Sequence, residues 1–397
     1  MGRFIIIVLD GFGIGEMKDT KEVRVKDVGS NTFKHIMGYR TVNLPTLEKL
    51  GICNSANIEF GNMKFSKTAK FGKANLMHFG ADTFYGHQEI MGSKPKKPLE
   101  EAFSFVKEKV KTELKKHGYS VREYGKGVKI LVVNECVTIG DNLETDFGQV
   151  YNVTSALDLI SFEEVKKIGK IVRDNVYTSR VITFGGEGIT LQNILDAYVE
   201  KNKIYAGIDA PKSGVYNKGY SVIHLGYGVN SSTQVPTILG KNNIGVYLFG
   251  KVADIVQNDY GVNLPGVDTE QVFRKLIEKL KSNMDGFFCL NVQETDLAGH
   301  QQDVDKYIDV LKISDKNINK VIELMNTEDI LIVMADHGND PLIGHSQHTR
   351  EQVPILIYKN NMVPGYIGEL STLSDVGATA LDYFGFSGSD NGQAFSI

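Results

Sequence analysis

Carboxylates and imidazoles stand at the ends of apolar segments in this sequence. The apolar run at 330–335 is followed directly by an aspartate and a histidine, and the run at 4–9 ends on another aspartate. A further aspartate and histidine lie at positions i and i+4, so they share one face if their segment is helical. Mixed carboxylate and imidazole ligation suits divalent metal ions, and these patterns predict a metal centre. Its candidate ligands are Asp10, Asp296, His300, Asp336, His337 and His348.

Thr83 is a candidate nucleophile. It follows Asp82 and precedes a short stretch of helical pattern, where an Asp-Thr pair commonly caps a helix N-terminus. The same arrangement exposes the threonine hydroxyl to an anion, and a metal bound to that oxygen would activate it at neutral pH. Local sequence favours the capping role, and both readings stay open at this point.

The overall composition narrows the classes of partner. A net charge of −4 gives no electrostatic basis for binding nucleic acid or an anionic membrane. The apolar run at 4–9 is too short for a membrane span or a signal peptide. The three cysteines are widely separated and at no metal-ligand spacing, so we expect reduced thiols in a cytoplasmic protein.

The apolar runs also indicate the fold. Continuous apolar stretches suit strands that helices cover on both faces, and helical patterns at 267–281 and 304–325 precede two of these stretches. This alternation predicts a doubly wound α/β core with a mostly parallel sheet. Such sheets bind ligands at the carboxyl ends of their strands, where the candidate metal ligands would meet. The four strand-like runs are 4–9, 244–249, 286–292 and 330–335.

The middle of the sequence has a different character. A proline-bearing connector at 93–98 interrupts helical continuation, and an amphipathic helical pattern at 99–117 then leads into short strand patterns. We therefore predict a metal-binding catalytic core of residues 1–98 and 231–397, with an inserted α+β cap of residues 99–230. An insertion of this kind naturally forms a lid over the strand ends.

Five motifs carry a family resemblance. They are Asp10-Gly-Phe-Gly-Ile-Gly-Glu16, Asp82-Thr-x-x-Gly-His-x-Glu-Ile-Met-Gly92, Gly250-Lys-Val-Ala-Asp-Ile255, Asn283-Met-Asp-Gly286, and Ala335-Asp-His-Gly-Asn-Asp-Pro341 with His348-Thr-Arg-Glu-x-Val-Pro354. Together they resemble the phosphopentomutases, which belong to the alkaline phosphatase superfamily of two-metal enzymes. The resemblance covers about the first hundred residues and everything after about residue 240. The second and fifth motifs together are highly specific, although either alone is weak.

The resemblance assigns the candidate ligands to two metal ions. Thr83 would carry the phosphoryl group between turnovers, which makes the enzyme a phosphoprotein. His345 has no counterpart in the family pattern, and we expect it not to bind metal. The first ion would be held by Asp10, Thr83, Asp336 and His337, and the second by Asp296, His300 and His348.

The resemblance also implies the activity. Phosphopentomutases use manganese, move phosphate between C1 and C5 of ribose, and start from a phosphorylated enzyme primed by a sugar bisphosphate. We therefore expect a two-metal phosphomutase acting on a pentose phosphate or a related phosphosugar, with an alkaline phosphatase-like core. Substrate contacts are expected from His87, Lys251 and, in the cap, Lys218.

Three segments depart from the family pattern. Phosphopentomutases place four residues between the aspartate and histidine of the second metal, whereas this chain has three, as in other superfamily members. In the cap, an arginine-bearing substrate segment is replaced by Tyr216-Asn-Lys-Gly-Tyr220, and the segment after Arg180-Val-Ile182 reads Thr-Phe-Gly-Gly-Glu-Gly188. Arginine binds phosphate with two hydrogen bonds and lysine acts only as a point charge, so we expect an altered substrate end.

Two other functions stay open from the sequence. A phosphatase or phosphodiesterase would use the same machinery and differ only in the access of water to the phosphothreonine. A non-catalytic metal-binding protein would keep the ligands without turnover. The large cap favours transfer over hydrolysis, and the intact ligand set argues against a loss of activity.

Overall fold

A computed structural model of the protein describes residues 2–144, 147–282 and 284–397. Asn283, which begins one of the family motifs, lies outside the described residues. The described chain forms two compact units. The core unit contains the residues up to Pro95 together with Asn230–Ile397, and the cap unit contains Lys96–Val229.

The first part of the core unit combines two strands with short helices. The first strand forms on the apolar run at the start of the chain, where every residue is buried. A short 3-10 helix also covers Val25–Asp27. The elements are β1 (Arg3–Leu9), α1 (Thr20–Val23), α2 (Thr32–Tyr39), α3 (Pro45–Leu50), α4 (Ile52–Ala56), β2 (Lys70–Ala74) and α5 (Thr83–Ile90).

The cap unit is an α+β structure. Its elements are α6 (Phe103–Lys116), β3 (Val121–Tyr124), β4 (Ile130–Val133), β5 (Val137–Asp141), β6 (Val150–Ala156), α7 (Phe162–Asn175), β7 (Arg180–Gly186), α8 (Leu191–Asp196), β8 (Tyr198–Lys201), β9 (Tyr205–Ile208), α9 (Ala210–Ser213) and β10 (Ser221–Gly226). Among the described residues the main sheet has the order β10-β7-β6-β5-β4-β3, and β8 pairs with β9. Helix α6, which the sequence predicted to begin at residue 99, begins at Phe103. Leu99 instead donates its amide to the Tyr177 carbonyl (2.9 Å), and the Phe103 amide donates to the Asp141 carboxylate (2.8 Å).

The remainder of the core unit alternates helices and strands. The predicted helices at 267–281 and 304–325 are confirmed with slightly shorter bounds, because Asp268 and Asp303 cap their N-termini. A 3-10 helix covers Ser231–Thr233. The elements are α10 (Val235–Lys241), β11 (Val246–Phe249), α11 (Val252–Ile255), β12 (Val262–Leu264), α12 (Thr269–Lys281), β13 (Gly286–Val292), α13 (Gln293–His300), α14 (Val304–Glu323), β14 (Ile330–Met334), β15 (Val353–Tyr358), β16 (Gly365–Leu370) and α15 (Ser374–Tyr383).

The core sheet has the strand order β12-β11-β13-β1-β14-β15-β2-β16 over the described part of the chain. Neighbouring strands in it are parallel except where β15 pairs with β14 and with β2. In the core unit, α14 contacts α12, α13, α2 and α3, and α15 contacts α5 and α10. This arrangement confirms the doubly wound, mostly parallel α/β core predicted from the sequence.

The centre of the sheet positions the candidate ligands. Strand β1 lies between β13 and β14 and is parallel to both, with Leu9 paired to Val292. The chain therefore leaves all three strands at the same edge, where Asp10, helix α13 and Asp336 follow. All three strands are completely buried, as expected of strands covered on both faces.

A buried ion pair joins β1 to the start of β14 at the opposite edge. Arg3 Nε donates to Asp329 Oδ2 (2.8 Å), the Arg3 amide donates to Asp329 Oδ1 (2.8 Å), and another guanidinium nitrogen donates to the Leu280 carbonyl (2.8 Å). Both side chains are almost inaccessible to solvent. The pair thus fixes the register of two strands that end in candidate metal ligands.

We predict that Asp329→Ala lowers the free energy of unfolding by about 3–5 kcal/mol, because it leaves a buried guanidinium without its counter-charge. A matched control is Asp305→Ala, which removes the carboxylate paired with exposed Arg40 (Nη1 to Oδ1, 3.0 Å). That exposed pair should contribute less than about 1 kcal/mol. Urea unfolding measures both losses, and equal values for the two variants would contradict the prediction.

Candidate metal centre

The first candidate group consists of Asp10, Asp336 and His337, all fully buried. Asp10 follows β1 and the other two follow β14, so adjacent strands deliver them. One ligand atom of each lies within 4.8 Å of the others, and His337 Nε2 is 3.4 Å from Asp10 Oδ1 and 3.3 Å from Asp336 Oδ2. The Gly11 amide donates to Asp336 Oδ1 (3.2 Å), which orients that carboxylate.

The second candidate group consists of Asp296, His300 and His348. Asp296 and His300 lie one turn apart on α13, which confirms the helical turn that their spacing indicated, and His300 Nε2 is 3.5 Å from Asp296 Oδ2. His348 Nε2 is 3.2 Å from Asp296 Oδ1. The helix after β13 and the loop after β14 therefore build this group together.

The two groups adjoin. The ring centroids of His337 and His348 are 4.0 Å apart, and Lys251 Nζ lies 2.9 Å from Asp10 and 3.3 Å from Asp296, one carboxylate of each group. Burial alone would raise the pKa of Asp296, but the neighbouring histidines and Lys251 hold that pKa well below its ordinary value. Burial alone would lower the pKa of Lys251, but the carboxylates raise it. The centre is a concentration of negative charge that cations stabilise.

The histidine nitrogens fit bound divalent metal ions. Nδ1 of His337 lies 2.9 Å from the Gly338 carbonyl oxygen, and Nδ1 of His348 lies 3.1 Å from the Ala81 carbonyl oxygen. The carboxylates of Asp336 and Asp10 outweigh the effect of burial and raise the pKa of His337 to about 10, so without an ion this ring is protonated. A bound ion would displace the proton of Nε2, and a proton on Nδ1 that donates to a carbonyl then leaves the Nε2 lone pair to the metal. In both rings Nε2 is buried and has no hydrogen-bond partner among the described residues. Lone pairs oriented beside carboxylates form a donor set that divalent metals accept.

The structure separates the two readings of the Asp82-Thr83 pair. Thr83 is the first residue of α5, and the Asp82 side chain caps this helix by accepting a hydrogen bond from the Tyr85 amide (2.9 Å). The Thr83 hydroxyl is not used for capping. Its Oγ1 donates to Asp336 Oδ2 (2.9 Å) and lies 3.4 Å from Asp10 Oδ1, so it is directed at the first ligand group.

The other candidates from the sequence lie in different settings. His87 is fully buried, with Nδ1 2.8 Å from the Thr83 carbonyl oxygen, so it lacks the exposed surface that the expected substrate contact needs. Lys218, in the cap unit, is 75% exposed and lies 3.8 Å from Glu187. His345 belongs to neither ligand group, and its Nε2 lies 3.1 Å from Asp27 Oδ1.

Two asparagines at the centre escape prediction from motifs. Asn291, within β13, donates to Asp10 Oδ2 (3.0 Å), and Asn339 donates to Asp296 Oδ1 (2.8 Å). Asn291 is a polar residue in an otherwise apolar, fully buried strand, which is a signal that could have identified it. Asn339 belongs to the Asp-His-Gly-Asn-Asp motif. Its contact with Asp296 cannot be read from the motif, because it depends on the position of α13 in the fold.

Comparison with known proteins supplies the family. The sequence matches the metalloenzyme superfamily over residues 2–388. A phosphopentomutase of Clostridium kluyveri is 32% identical over 394 residues, covering 96% of this chain and 95% of the relative. A phosphopentomutase of Desulfitobacterium hafniense is 30% identical over 417 aligned positions, covering 100% of this chain and 99% of the relative. The chain belongs to the phosphopentomutase family. Among solved structures, alkaline phosphatase from the Antarctic bacterium TAB5 matches with 12% identity and a TM-score of 0.38, covering 96% of this chain and 97% of that chain.

Membership of the phosphopentomutase family confirms the resemblance and the enzyme class predicted from the motifs: the protein is a metal-dependent phosphomutase. The match to the metalloenzyme superfamily and the two ligand groups both support the binding of divalent metal ions. Of the helices that the structure describes, none has the length and apolar character needed to cross a membrane.

We predict that the protein binds two divalent ions per chain, one at each ligand group. Asp336→Asn should remove the first ion and Asp296→Asn the second, because each substitution replaces a charged ligand by a neutral amide. Elemental analysis after loading with Mn²⁺ and desalting counts the ions.

His345→Gln is the matched control, and it should keep both ions because His345 lies outside both groups. One ion or none in the unmodified protein would contradict the prediction, as would an ion lost from the His345 variant.

Proposed function

We propose that this protein moves a phosphoryl group between two positions of a pentose phosphate or a related phosphosugar, through a phosphothreonine at Thr83. The observation that carries the proposal is the Thr83 hydroxyl, which donates to Asp336 at 2.9 Å within the first ligand group. A threonine hydroxyl is a weak nucleophile, and this contact puts its oxygen beside residues that would hold an ion, which would lower the pKa of the hydroxyl. Membership of the phosphopentomutase family supports the reaction class.

The proposed transfer balances over two steps. In the first, the P–Oγ bond of phosphothreonine breaks and a P–O bond forms to the free hydroxyl of the sugar monophosphate, whose proton ends on Thr83 Oγ. In the second, the P–O bond at the other end of the resulting bisphosphate breaks and the phosphoryl group passes to Thr83 Oγ, while the proton of the Thr83 hydroxyl moves to the sugar oxygen that the phosphoryl group leaves. A sugar bisphosphate would therefore also prime the unphosphorylated enzyme.

The residues of the two ligand groups would hold the ions, and the ammonium of Lys251 would balance part of the negative charge of their carboxylates. Divalent ions, when bound, supply positive charge against the phosphoryl oxygens and the leaving oxygen. The raised pKa of Lys251 keeps its ammonium protonated, so it balances one carboxylate of each group and can donate to a phosphoryl oxygen. We propose Mn²⁺ as the ion because the resemblance to the phosphopentomutases implies manganese. The donor set of carboxylate, imidazole and hydroxyl accepts several divalent ions, Mn²⁺ among them.

The family resemblance assigns the substrate end to the cap unit. There the rings of Tyr216 and Tyr220 have centroids 5.1 Å apart, and Tyr216 also stacks on Phe184. Lys218, between the two tyrosines in sequence, is exposed and close to Glu187. A flexible lysine beside a carboxylate binds phosphate less well than an arginine does.

We propose that the cap acts as a lid that excludes water, so that phosphothreonine transfers to a sugar hydroxyl and is not hydrolysed.

We also propose that the protein acts in the cytoplasm. Its three cysteines are buried and free, and reduced thiols persist in that compartment.

We predict that Thr83→Ala loses activity by several orders of magnitude while its metal content and unfolding temperature stay close to those of the unmodified protein. The reason is that the variant lacks the phosphoryl acceptor, whereas a partly exposed hydroxyl contributes little to stability. Thr83→Ser should keep part of the activity. Mass spectrometry after incubation with a sugar bisphosphate should find phosphate on Thr83.

Thr112→Ala is the matched control, because it removes the hydroxyl of an exposed threonine on α6. It should leave turnover unchanged. Full turnover by the Thr83→Ala variant, or phosphate on another residue, would refute Thr83 as the carrier. Release of inorganic phosphate in proportion to turnover would identify a phosphatase instead.

We predict that ribose 5-phosphate is a poorer substrate than another phosphorylated sugar or polyol, because the arginine-bearing segment is absent from the cap. A panel of ribose, deoxyribose, and hexose 1- and 6-phosphates, with and without a bisphosphate primer, measures kcat/KM for each. A value for ribose 1-phosphate to 5-phosphate turnover on the order of 10⁴ M⁻¹s⁻¹ or more would contradict the prediction.

A further inference from the structure

A chain of buried hydrogen bonds runs from a metal-ligand carboxylate to the backbone of Thr83. Asn291 Nδ2 lies 3.0 Å from Asp10 Oδ2 and 3.0 Å from His87 Nε2. On its other side, His87 Nδ1 lies 2.8 Å from the Thr83 carbonyl oxygen and 3.2 Å from Asp336 Oδ2. We infer that His87 and Asn291 are positioning residues that hold the Thr83 hydroxyl in register with the metal ligands, an inference that rests on the proposed function.

The contacts of Asn291 determine the direction of the hydrogen bonds. Its amide nitrogen must face Asp10, because the amide oxygen there would meet a carboxylate oxygen with no proton between them. The same nitrogen also faces His87 Nε2, so that ring nitrogen accepts. The proton of a neutral His87 ring therefore sits on Nδ1 and donates to the Thr83 carbonyl, with Asp336 beside it.

Close packing places the first turn of α5 directly on the end of β14. A Cβ added at Gly86 would lie 2.7 Å from the Asp336 carbonyl oxygen and 2.9 Å from Asp336 Cβ, so only a glycine permits this approach. His87 then binds the carbonyl of Thr83, the first residue of the helix. The backbone of Thr83 is thus fixed from two sides, and its hydroxyl is left with Asp336 and Asp10.

The polarity of these two buried side chains argues for positioning. Both are completely buried, so neither can touch a substrate. Asn291 interrupts the apolar strand β13, and its Oδ1 has no hydrogen-bond partner among the described residues. Burying an amide oxygen unpaired is unfavourable, and an apolar residue in the same strand would avoid that cost. Such a cost is expected where a polar contact serves the site.

Substitutions at His87 can separate its two hydrogen bonds. His87→Asn keeps a donor near the position of Nδ1 and loses the contact of Nε2, whereas His87→Gln reaches the position of Nε2 and loses the donor to Thr83. We expect His87→Gln to lower kcat about a hundredfold, the effect of a displacement of about 1 Å at a reacting group. KM and the number of bound Mn²⁺ ions should not change. His87→Asn should recover most of kcat, because it keeps the donor to Thr83. Asn291→Leu should lower kcat, because it removes the hydrogen bond to the Asp10 carboxylate together with the one to the His87 ring.

The second readout is the rate at which a sugar bisphosphate phosphorylates Thr83 in a single turnover, followed by mass spectrometry. This rate should fall in parallel with kcat in His87→Gln and Asn291→Leu, and it should be normal in the control His345→Gln. Unchanged kcat and phosphorylation in His87→Gln would overturn the inference. So would a loss of metal or of folded protein that His87→Asn does not restore, because that result marks a purely structural role.

Phosphorylation of Thr83 in the unmodified protein distinguishes a failure of the proposed function from a failure of the positioning inference. If it is never phosphorylated on Thr83 by any bisphosphate of the panel, the proposed function fails and the positioning inference falls with it. If it is phosphorylated and the His87 variants behave like the control, only the positioning inference fails.

Discussion

Three buried aspartates at one edge of the core sheet set the main physical constraint on this protein. Asp10, Asp296 and Asp336 are each at most 3% exposed, and the elements that carry them are neighbours. Burying ionised carboxylates is costly unless cations or hydrogen-bond donors compensate them. Lys251 and the surrounding histidines compensate part of this charge, and divalent ions suit the remainder. The charges that favour ion binding therefore also link the stability of the fold to the presence of cations.

The parallel sheet is the means by which distant parts of the chain meet this constraint. Strands β13, β1 and β14 run side by side in one direction, so residues far apart in sequence arrive together when the strands end. The Arg3–Asp329 ion pair fixes two of these strands at their other ends. Helix α5 brings the proposed nucleophile to the same edge from a different part of the chain. The chemistry depends on this convergence, because no single segment carries a complete set of ligands and a nucleophile.

Much of this arrangement could be predicted from the sequence, for physical reasons. The strands β1, β13 and β14 are continuous apolar runs, and Asp10 and Asp336 come directly after two of them, so their meeting at one edge follows from a parallel sheet. The contacts of His87 could not be predicted. Its expected role was in substrate binding, and its burial against Thr83 depends on how closely α5 approaches β14. Asn291 was missed because a lone asparagine in a strand forms no motif.

The most direct test of the central claim is the anomalous diffraction of Mn²⁺-loaded crystals, which locates manganese independently of any sequence comparison. We predict two anomalous peaks in each chain. One should lie about 2.0–2.2 Å from ligand atoms of Asp10, Asp336 and His337, with Thr83 Oγ1 beside it, and the other at the same distance from Asp296, His300 and His348. A single peak, or peaks bound by other residues while these two groups hold only Lys251 and water, would contradict the account.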